Sequence, residues 1–326
     1  MTAPPDWMQP RAPIRIGISS CLLGEAVRFD GQHKRDAFIA GTLAACFTFV
    51  PVCPEVAVGL GVPRPPLRLV DTGGGPPSAL GVRDPTLDAS AALRTYGRRM
   101  AAELHDLGGY LFKRGSPSCG MERVKVYRPA GGAPVVRGVG LYAEAFMAAQ
   151  PLLPVEEEGR LGDPALRGNW IERVYAYHRW RALLAARLTP GRLVEFHNRH
   201  KLALMAHGAE PARRLGRLVA AAGTRPIAEV GAEYGRAFME TLRRKATRRS
   251  HTHVLQHLQG TLERALDAAD TAELGDVIAA YRAGQVPLVV PITLLKHHFR
   301  RHPHPTMAGQ TYLEPHPAEL MLRNAI

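Results

Sequence analysis

The sequence predicts an α/β domain with a mainly parallel sheet, followed by an all-α domain. Three observations carry this. Residues 14–150 alternate short β-rich runs with helical patterns, the signature of βαβ units. From Asn169 onward nearly every segment has helical periodicity. The charge changes character between the halves: residues 1–162 hold 18 basic and 15 acidic side chains, whereas residues 163–326 hold 24 and 14, so +10 of the net +13 lies in the second half. Histidine follows the same split, with only His33 and His105 before residue 163. A strongly cationic domain points to an anionic partner.

The elements follow in order. The first strand is Ile14-Arg-Ile-Gly-Ile-Ser-Ser20. A loop from Gly24 to Gly31 carries Arg28 and Asp30, and Lys34 to Leu43 reads as a helix leading to the second strand, Phe47-Thr-Phe-Val-Pro-Val52. Pro63-Arg-Pro-Pro66 and Thr72-Gly-Gly-Gly-Pro-Pro77 are irregular loops, because their prolines and glycines interrupt both regular elements. Asp88 to Leu107 forms an amphipathic helix that stops at Gly108-Gly109 and feeds the strand beginning at Tyr110. The acidic, Pro- and Gly-containing stretch Leu153 to Pro164 suits a domain connection. Helices are expected over 170–188, 192–207, 211–221, 226–247, 250–268, 271–283 and 291–300. The result is a Rossmann-like α/β domain over 11–160 and a helical, basic domain over 161–326.

Three of the four cysteines follow the strand-like runs: Cys21 after the first, Cys53 after the second and Cys119 after Tyr110-Leu-Phe-Lys-Arg-Gly-Ser-Pro-Ser118. In an open parallel sheet, the carboxyl ends of the strands form the ligand-binding crevice. Three thiolates at that edge can hold a metal centre with one open position; buried or incidental cysteines are the alternative. Cys46, in Ala44-Ala-Cys-Phe47, reads as packing. Four irregularly spaced cysteines in a long chain do not form a disulfide framework. No segment reaches about 18 uninterrupted apolar residues and the amino terminus lacks the apolar region of a signal peptide, so a cytoplasmic protein with reduced thiols and no membrane partner is expected.

Glu55 stands two residues beyond Cys53 and is a candidate general base; a glutamate stabilised by a helix amino terminus is the alternative. Ser116 and Ser118 either position a substrate or shape their turn.

Taken in order, Ser19-Ser-Cys-Leu-Leu-Gly24 with Val27-Arg-Phe-Asp-Gly31, Val52-Cys-Pro-Glu55, Pro63-Arg-Pro65 and Ser116-Pro-Ser-Cys-Gly120 resemble the successive motifs of the thiouracil desulfidase family. Phe196-His-Asn-Arg-His-Lys-Leu202, His253-Val-Leu-Gln-His-Leu-Gln-Gly260 and Tyr312-Leu-Glu-Pro-His-Pro317 resemble the helical domain fused to such desulfidases, an arrangement similar to the bacterial tRNA 4-thiouridine desulfidases. The resemblance implies a [4Fe–4S] cluster held by Cys21, Cys53 and Cys119, with Glu55 catalytic and the catalytic serine on Ser116, Ser118 of the same motif being the alternative. Asp30 and Ser118 are expected to bind substrate. It implies removal of sulfur from 4-thiouridine in tRNA, with release of hydrogen sulfide and no net redox change. Phe29 departs from the tyrosine that relatives often carry there.

In the helical half, Arg243, Arg244, Lys245, Arg248 and Arg249 place five cations within seven residues with no acid among them. Such a run needs anions, and it is the expected contact with tRNA phosphates. His253 with His257, and His197 with His200, have helical spacing; structural hydrogen bonding or phosphate contact is expected of them rather than metal binding. Two other functions fit the same residues: a desulfidase of free thiouracil or a related nucleobase, and a non-enzymatic iron–sulfur sensor that binds nucleic acid.

Overall fold

The computed structural model describes residues 13–317 apart from Gly74 and Ala308, so the amino-terminal segment that lacks a signal-peptide pattern lies outside the described residues. The chain divides into two units between Gly162 and Asp163.

The strands of the first unit are β1 (Ile14–Ser19), β2 (Phe47–Val52), β3 (Leu67–Val70), β4 (Ser78–Gly81), β5 (Gly109–Phe112), β6 (Val124–Arg128), β7 (Gly131–Gly138) and β8 (Val155–Glu157). Its helices are α1 (Ala37–Ala40), α2 (Pro54–Ala57), α3 (Ser90–Glu103) and α4 (Leu141–Ala149). One sheet runs β2-β1-β5-β8 with every pair parallel, as the alternating pattern predicts. Ile16 and Ile18 of β1 are fully buried. Gly17 between them is required by close approach: a Cβ there would lie 2.3 Å from the ring of Tyr110, its partner across the ladder. That ring stacks on Phe112 at 4.2 Å and leans on Phe146 of α4 at 4.9 Å, so an aromatic layer joins β5 to α4.

A second sheet, β4-β3-β6-β7, has no counterpart in the sequence pattern. Only β3 and β6 run parallel; β3 with β4 and β6 with β7 are antiparallel. Its strands are mostly short and separated by Pro- and Gly-rich turns, so they lack the long alternation that identifies a strand from sequence. Leu69, Ala79, Leu93, Val126 and Leu141 form the core beneath it.

Two helices are shorter than predicted. Asp36 caps α1 by accepting from the Ile39 N–H at 3.0 Å, but the helix makes one turn and stops at Gly41. The segment 88–107 is helical only over α3; the Gly108 N–H bonds the Arg15 carbonyl at 2.8 Å, which enters the sheet rather than closing the helix.

The second unit contains α5 (Pro164–Ala185), α6 (Pro190–His207), α7 (Ala209–Ala220), α8 (Ile227–Arg243), α9 (Arg248–Leu262), α10 (Ala268–Ala283) and α11 (Val289–Arg301). Trp180, Phe196, Tyr234 and Phe238 pack in one aromatic cluster, and Leu255, Leu258, Leu274, Tyr281 and Leu295 belong to a second core. The basic run does not continue a helix. α8 ends at Arg243, Arg244 is extended, and Thr247 starts α9 with a capping box to Ser250, so Lys245 lies in the irregular link between the two helices. Among the described residues no helix is long and apolar enough to cross a membrane.

α4 secures the loop that carries Cys119. N–H groups at its start meet the loop carbonyls: Gly140 to Gly120 at 2.8 Å, Leu141 to Pro117 at 3.0 Å and Ala143 to Ser118 at 3.1 Å. A Cβ on Gly140 would lie 2.6 Å from the Ser118 carbonyl and 2.8 Å from the Gly120 nitrogen, both backbone. Gly140→Ala is therefore expected to lower stability by about 1–3 kcal/mol. Denaturant titration of the full chain checks this, and an unchanged midpoint would show that the loop yields freely.

A candidate active site at the strand ends

In the order β2-β1-β5, three parallel neighbours end at one edge, and each delivers a cysteine. Cys21 lies in the one-turn 3-10 helix Ser20–Leu22 that closes β1. Cys53 is the N-cap of α2, whose first residue is Pro54. Cys119 sits in a turn closed by the Gly120 N–H on the Ser116 carbonyl at 2.9 Å. All three thiols are free and line one cavity of about 350 Å³, together with Glu55, Arg64, Ser116 and Ser118. Cys46 closes a short turn on Leu43 and is not among the lining residues.

Burial pushes the Cys21 thiol up to about 11 even though Lys113 and Arg28 pull the other way. Burial likewise raises Cys53 and Cys119. Such thiols keep their protons at neutral pH unless a metal takes their place. Polar groups already attend the sulfurs. Ser118 Oγ lies 3.8 Å from Cys119 Sγ, the Ser19 hydroxyl beside it accepts from the Lys113 N–H at 3.0 Å, and Cys53 Sγ donates to the Val27 carbonyl at 3.7 Å. Among the described residues no group of three or more His, Cys, Asp and Glu is spaced to hold a single metal ion. The three thiols nevertheless share one cavity, so the donor set fits a cluster in which each thiolate takes its own metal atom.

Glu55 is held at both oxygens. Arg64 donates to Oε2 through Nε at 2.8 Å and Nη2 at 2.7 Å, and Ser118 Oγ donates to Oε1 at 2.5 Å. The two side chains of the ion pair are only 13% and 4% exposed, Glu55 and Arg64 respectively. Arg64 Nη1 also bonds the carbonyls of Val27 and Gly61, both at 2.9 Å, which ties the pair to two loops. The two serines differ in what they touch. Ser116 Oγ accepts from the N–H groups of Ser118 and Cys119 at 3.2 and 3.1 Å and lies 2.9 Å from Ser118 Oγ. Ser118 is 1% exposed and reaches the carboxylate directly. A hydroxyl chain thus runs from Ser116 through Ser118 to Glu55.

Asp30 is exposed, accepts from the Gln32 N–H at 3.2 Å, pairs with Arg28 at 3.4 Å, and is not among the cavity-lining residues. The roles of two contributions are not legible in the sequence. Arg64 stands in the Pro63-Arg-Pro65 motif, but nothing there points to Glu55 as its partner. Lys113 and Glu158 form an ion pair beside the cavity, with Glu158 also accepting from the Arg114 N–H at 2.7 Å; no local pattern links residues so distant.

In the helical unit Arg243, Arg244, Lys245, Arg248 and Arg249 are all exposed. Arg248 also makes contacts within the unit: Nη1 donates to the Tyr281 carbonyl at 2.8 Å, and its guanidinium lies 5.1 Å from the Tyr281 ring centroid. Three buried histidines are structural partners. His197 meets the Tyr234 hydroxyl at 3.2 Å, and His251 meets the Tyr312 hydroxyl at 2.9 Å. His207 bonds the Arg244 carbonyl at 2.5 Å and Glu172 at 3.3 Å. Burial alone would lower His207, but Glu172 and the Arg244 carbonyl outweigh it and raise it.

Comparison with known proteins adds to this geometry. Residues 16–158 match the model of the 2-thiouracil desulfurase family, and residues 201–317 match that of a protein of unknown function, DUF1722. The uncharacterized protein YbgA of Escherichia coli (strain K12) is 32% identical over 154 residues, which is 47% of this chain and 91% of that protein. A solved structure, the [4Fe-4S]-dependent thiouracil desulfidase TudS, aligns with 30% identity over 47% of this chain and 97% of its own, with a TM-score of 0.35.

Removing the guanidinium tests the central ion pair. Arg64→Ala leaves a largely buried carboxylate without its cation and frees two loop carbonyls, so stability is expected to fall by about 3 kcal/mol. Arg64→Lys should restore only part of this, because an ammonium cannot fork across a carboxylate oxygen and two carbonyls. Equal stability of all three proteins in denaturant would show that the pair holds nothing together.

Proposed function

Because the chain belongs to the proteins that join a 2-thiouracil desulfurase domain to a DUF1722 region, we propose that it is a desulfidase that converts 4-thiouridine in tRNA to uridine, releasing hydrogen sulfide. The observation that carries the reading is the convergence of three buried thiols and a fixed carboxylate on one cavity. Cys21, Cys53 and Cys119 would hold a [4Fe–4S] cluster. When bound, a cluster with one iron left open by three thiolates supplies a soft Lewis acid with affinity for a thiocarbonyl sulfur.

The chain's own residues do the rest. Hydrolysis of a thiocarbonyl adds the oxygen of water to the ring carbon and breaks the C–S bond; the sulfur leaves at its existing oxidation state and takes up protons as hydrogen sulfide. Glu55 receives the proton of the attacking water at Oε1, the oxygen that Arg64 leaves free. Ser116 faces the cavity and places the ring by hydrogen bonding. Ser118 joins Ser116 to Glu55, so the pair of hydroxyls fixes the direction of the carboxylate. Burial of Arg64 keeps Glu55 from turning away.

The helical unit supports tRNA as the source of the thiolated base. Arg243, Arg244, Lys245 and Arg249 form an exposed cationic link and helix start in a unit that carries most of the chain's positive charge. These cations would grip phosphates while the base is drawn out of its stack.

Cys21→Ser, Cys53→Ser and Cys119→Ser are each expected to lose the visible absorbance of the reconstituted chain together with its activity; a colourless variant with full turnover ends the assignment. Glu55→Gln retains that absorbance and loses about 10²–10⁴-fold in turnover. Anaerobic incubation with 4-thiouridine-containing tRNA and with free thiouracil, following the thiocarbonyl absorbance, should favour the tRNA; preference for the free base would move the protein to the nucleobase reading, and inertness toward both to that of a sensor. Binding of tRNA should weaken with salt. Reversing Arg243, Arg244 and Arg249 to glutamate should lower the slope of log affinity against log salt by about 0.7–0.9 for each phosphate that is no longer neutralised. An unchanged slope removes this link from the interface.

A further inference from the structure

The cavity that holds Glu55 and the cysteines also has an aromatic wall that no step above uses. Phe29 lines it and, at 39% exposed, is one of few large apolar side chains open to solvent among the described residues of the unit. A phenyl ring has no proton to exchange and no atom for a metal, so at such a place it offers only its face. The backbone beneath it is fixed from both sides. The Arg64 N–H bonds the Phe29 carbonyl at 2.9 Å, Arg64 Nη1 bonds the Val27 carbonyl at 2.9 Å, and the turn is closed by the Gly31 N–H on the Arg28 carbonyl at 2.9 Å. Gly31 has φ +71°, in the left-handed region that glycine enters without strain. The Arg28 guanidinium lies 5.4 Å from the ring centroid and adds a cation beside the same ring.

The residue that locks Glu55 therefore also anchors the backbone that carries the ring. One arginine ties a carboxylate and the segment bearing an aromatic face to a single cavity, an arrangement suited to holding a flat ring against a base. We propose that Phe29 is the stacking face for the thiolated pyrimidine, a positioning residue that binds the ring and leaves the hydrolysis to Glu55. This rests on the desulfidase reading of the site. Stacking of one base on an aromatic side chain covers about a 10- to 100-fold range in affinity and tolerates any aromatic ring.

The test uses the cluster-loaded full chain with 4-thiouridine as substrate and uridine, the sulfur-free product, as a binding probe that needs no turnover. Phe29→Leu and Phe29→Ala should each raise KM for 4-thiouridine and the uridine Kd about 10- to 100-fold, with kcat within about threefold of the starting protein. Phe29→Tyr should match the starting protein in both, and visible absorbance and thermal midpoint should be unchanged throughout. If the alanine variant loses absorbance, the leucine and tyrosine variants decide. Unchanged KM and Kd in the leucine variant overturn the proposal, as does a fall in kcat at constant KM. A chain that desulfurises nothing but binds uridine through Phe29 would sink the desulfidase reading and leave the stacking face standing.

Discussion

The parallel pairing of β1 with both of its neighbours is the constraint on which the first unit depends. Ile18 stands opposite Pro51 on one side and Leu111 on the other, so three chains leave the sheet at the same level and their next residues share one edge. Cys21 and Cys53 fall one to two residues past the paired positions Ser19 and Val52. A slip of one residue would exchange the faces of the whole strand and carry the thiols apart. Gly17 prevents that slip in a specific way, because the Tyr110 ring is accepted at that position and would collide with a side chain at any other residue type.

The second constraint is the fork of Arg64 on Glu55. A carboxylate two residues from a strand-end thiol is near the cavity by sequence, but proximity does not aim it. Arg64 aims it, by taking Oε2 and leaving Oε1 to the Ser118 hydroxyl, and it does so from a loop that also touches Val27, Phe29 and Gly61 through the backbone. The charge pair is inaccessible enough that its geometry resists the thermal motion that makes exposed pairs weak. Arg64 thus aims the acid through its guanidinium and holds the Phe29 backbone through its own N–H, while the serine pair meets the free oxygen of the acid.

What can be read from the sequence follows the physics of each signal. β2 is legible to the residue, because Phe47 to Val52 is a continuous β-forming run ending at Cys53. The seven helices of the second unit are legible because helical periodicity persists over several turns in each. The second sheet is not: Leu67-Arg-Leu-Val70 and Ser78-Ala-Leu-Gly81 are too short to show a period, and the parallel pairing of β3 with β6 is decided by residues distant in sequence. Composition alone puts the basic run inside a helix, since arginine and lysine favour helices; Arg244, extended beyond the last turn of α8, and the cap at Thr247 override that preference. The strand-end thiols can be anticipated because topology alone sends them to one edge, whereas the partner of Glu55 needs a loop conformation that no periodicity encodes.

The two units also differ in how they hold charge, and this bears on what each can recognise. In the helical unit burial pushes His197 down to about 4 and His200 to about 3, so both are neutral imidazoles that serve as hydrogen-bond partners inside the bundle. These two histidines therefore do not contribute to the cationic surface. That surface belongs to arginine and lysine, whose charge is permanent at neutral pH: Arg243, Arg244, Lys245, Arg248 and Arg249 are all exposed, and Arg248 in addition bonds the Tyr281 carbonyl. A permanent, exposed set of cations suits a polyanion that is gripped without regard to sequence. The cavity of the first unit has the opposite character: its carboxylate, its arginine and its serines are each fixed by a hydrogen bond, which suits discrimination of one ring from another. On the proposed function, selectivity for the thiolated base and affinity for the nucleic acid that carries it are served by separate physical means in separate units of the chain.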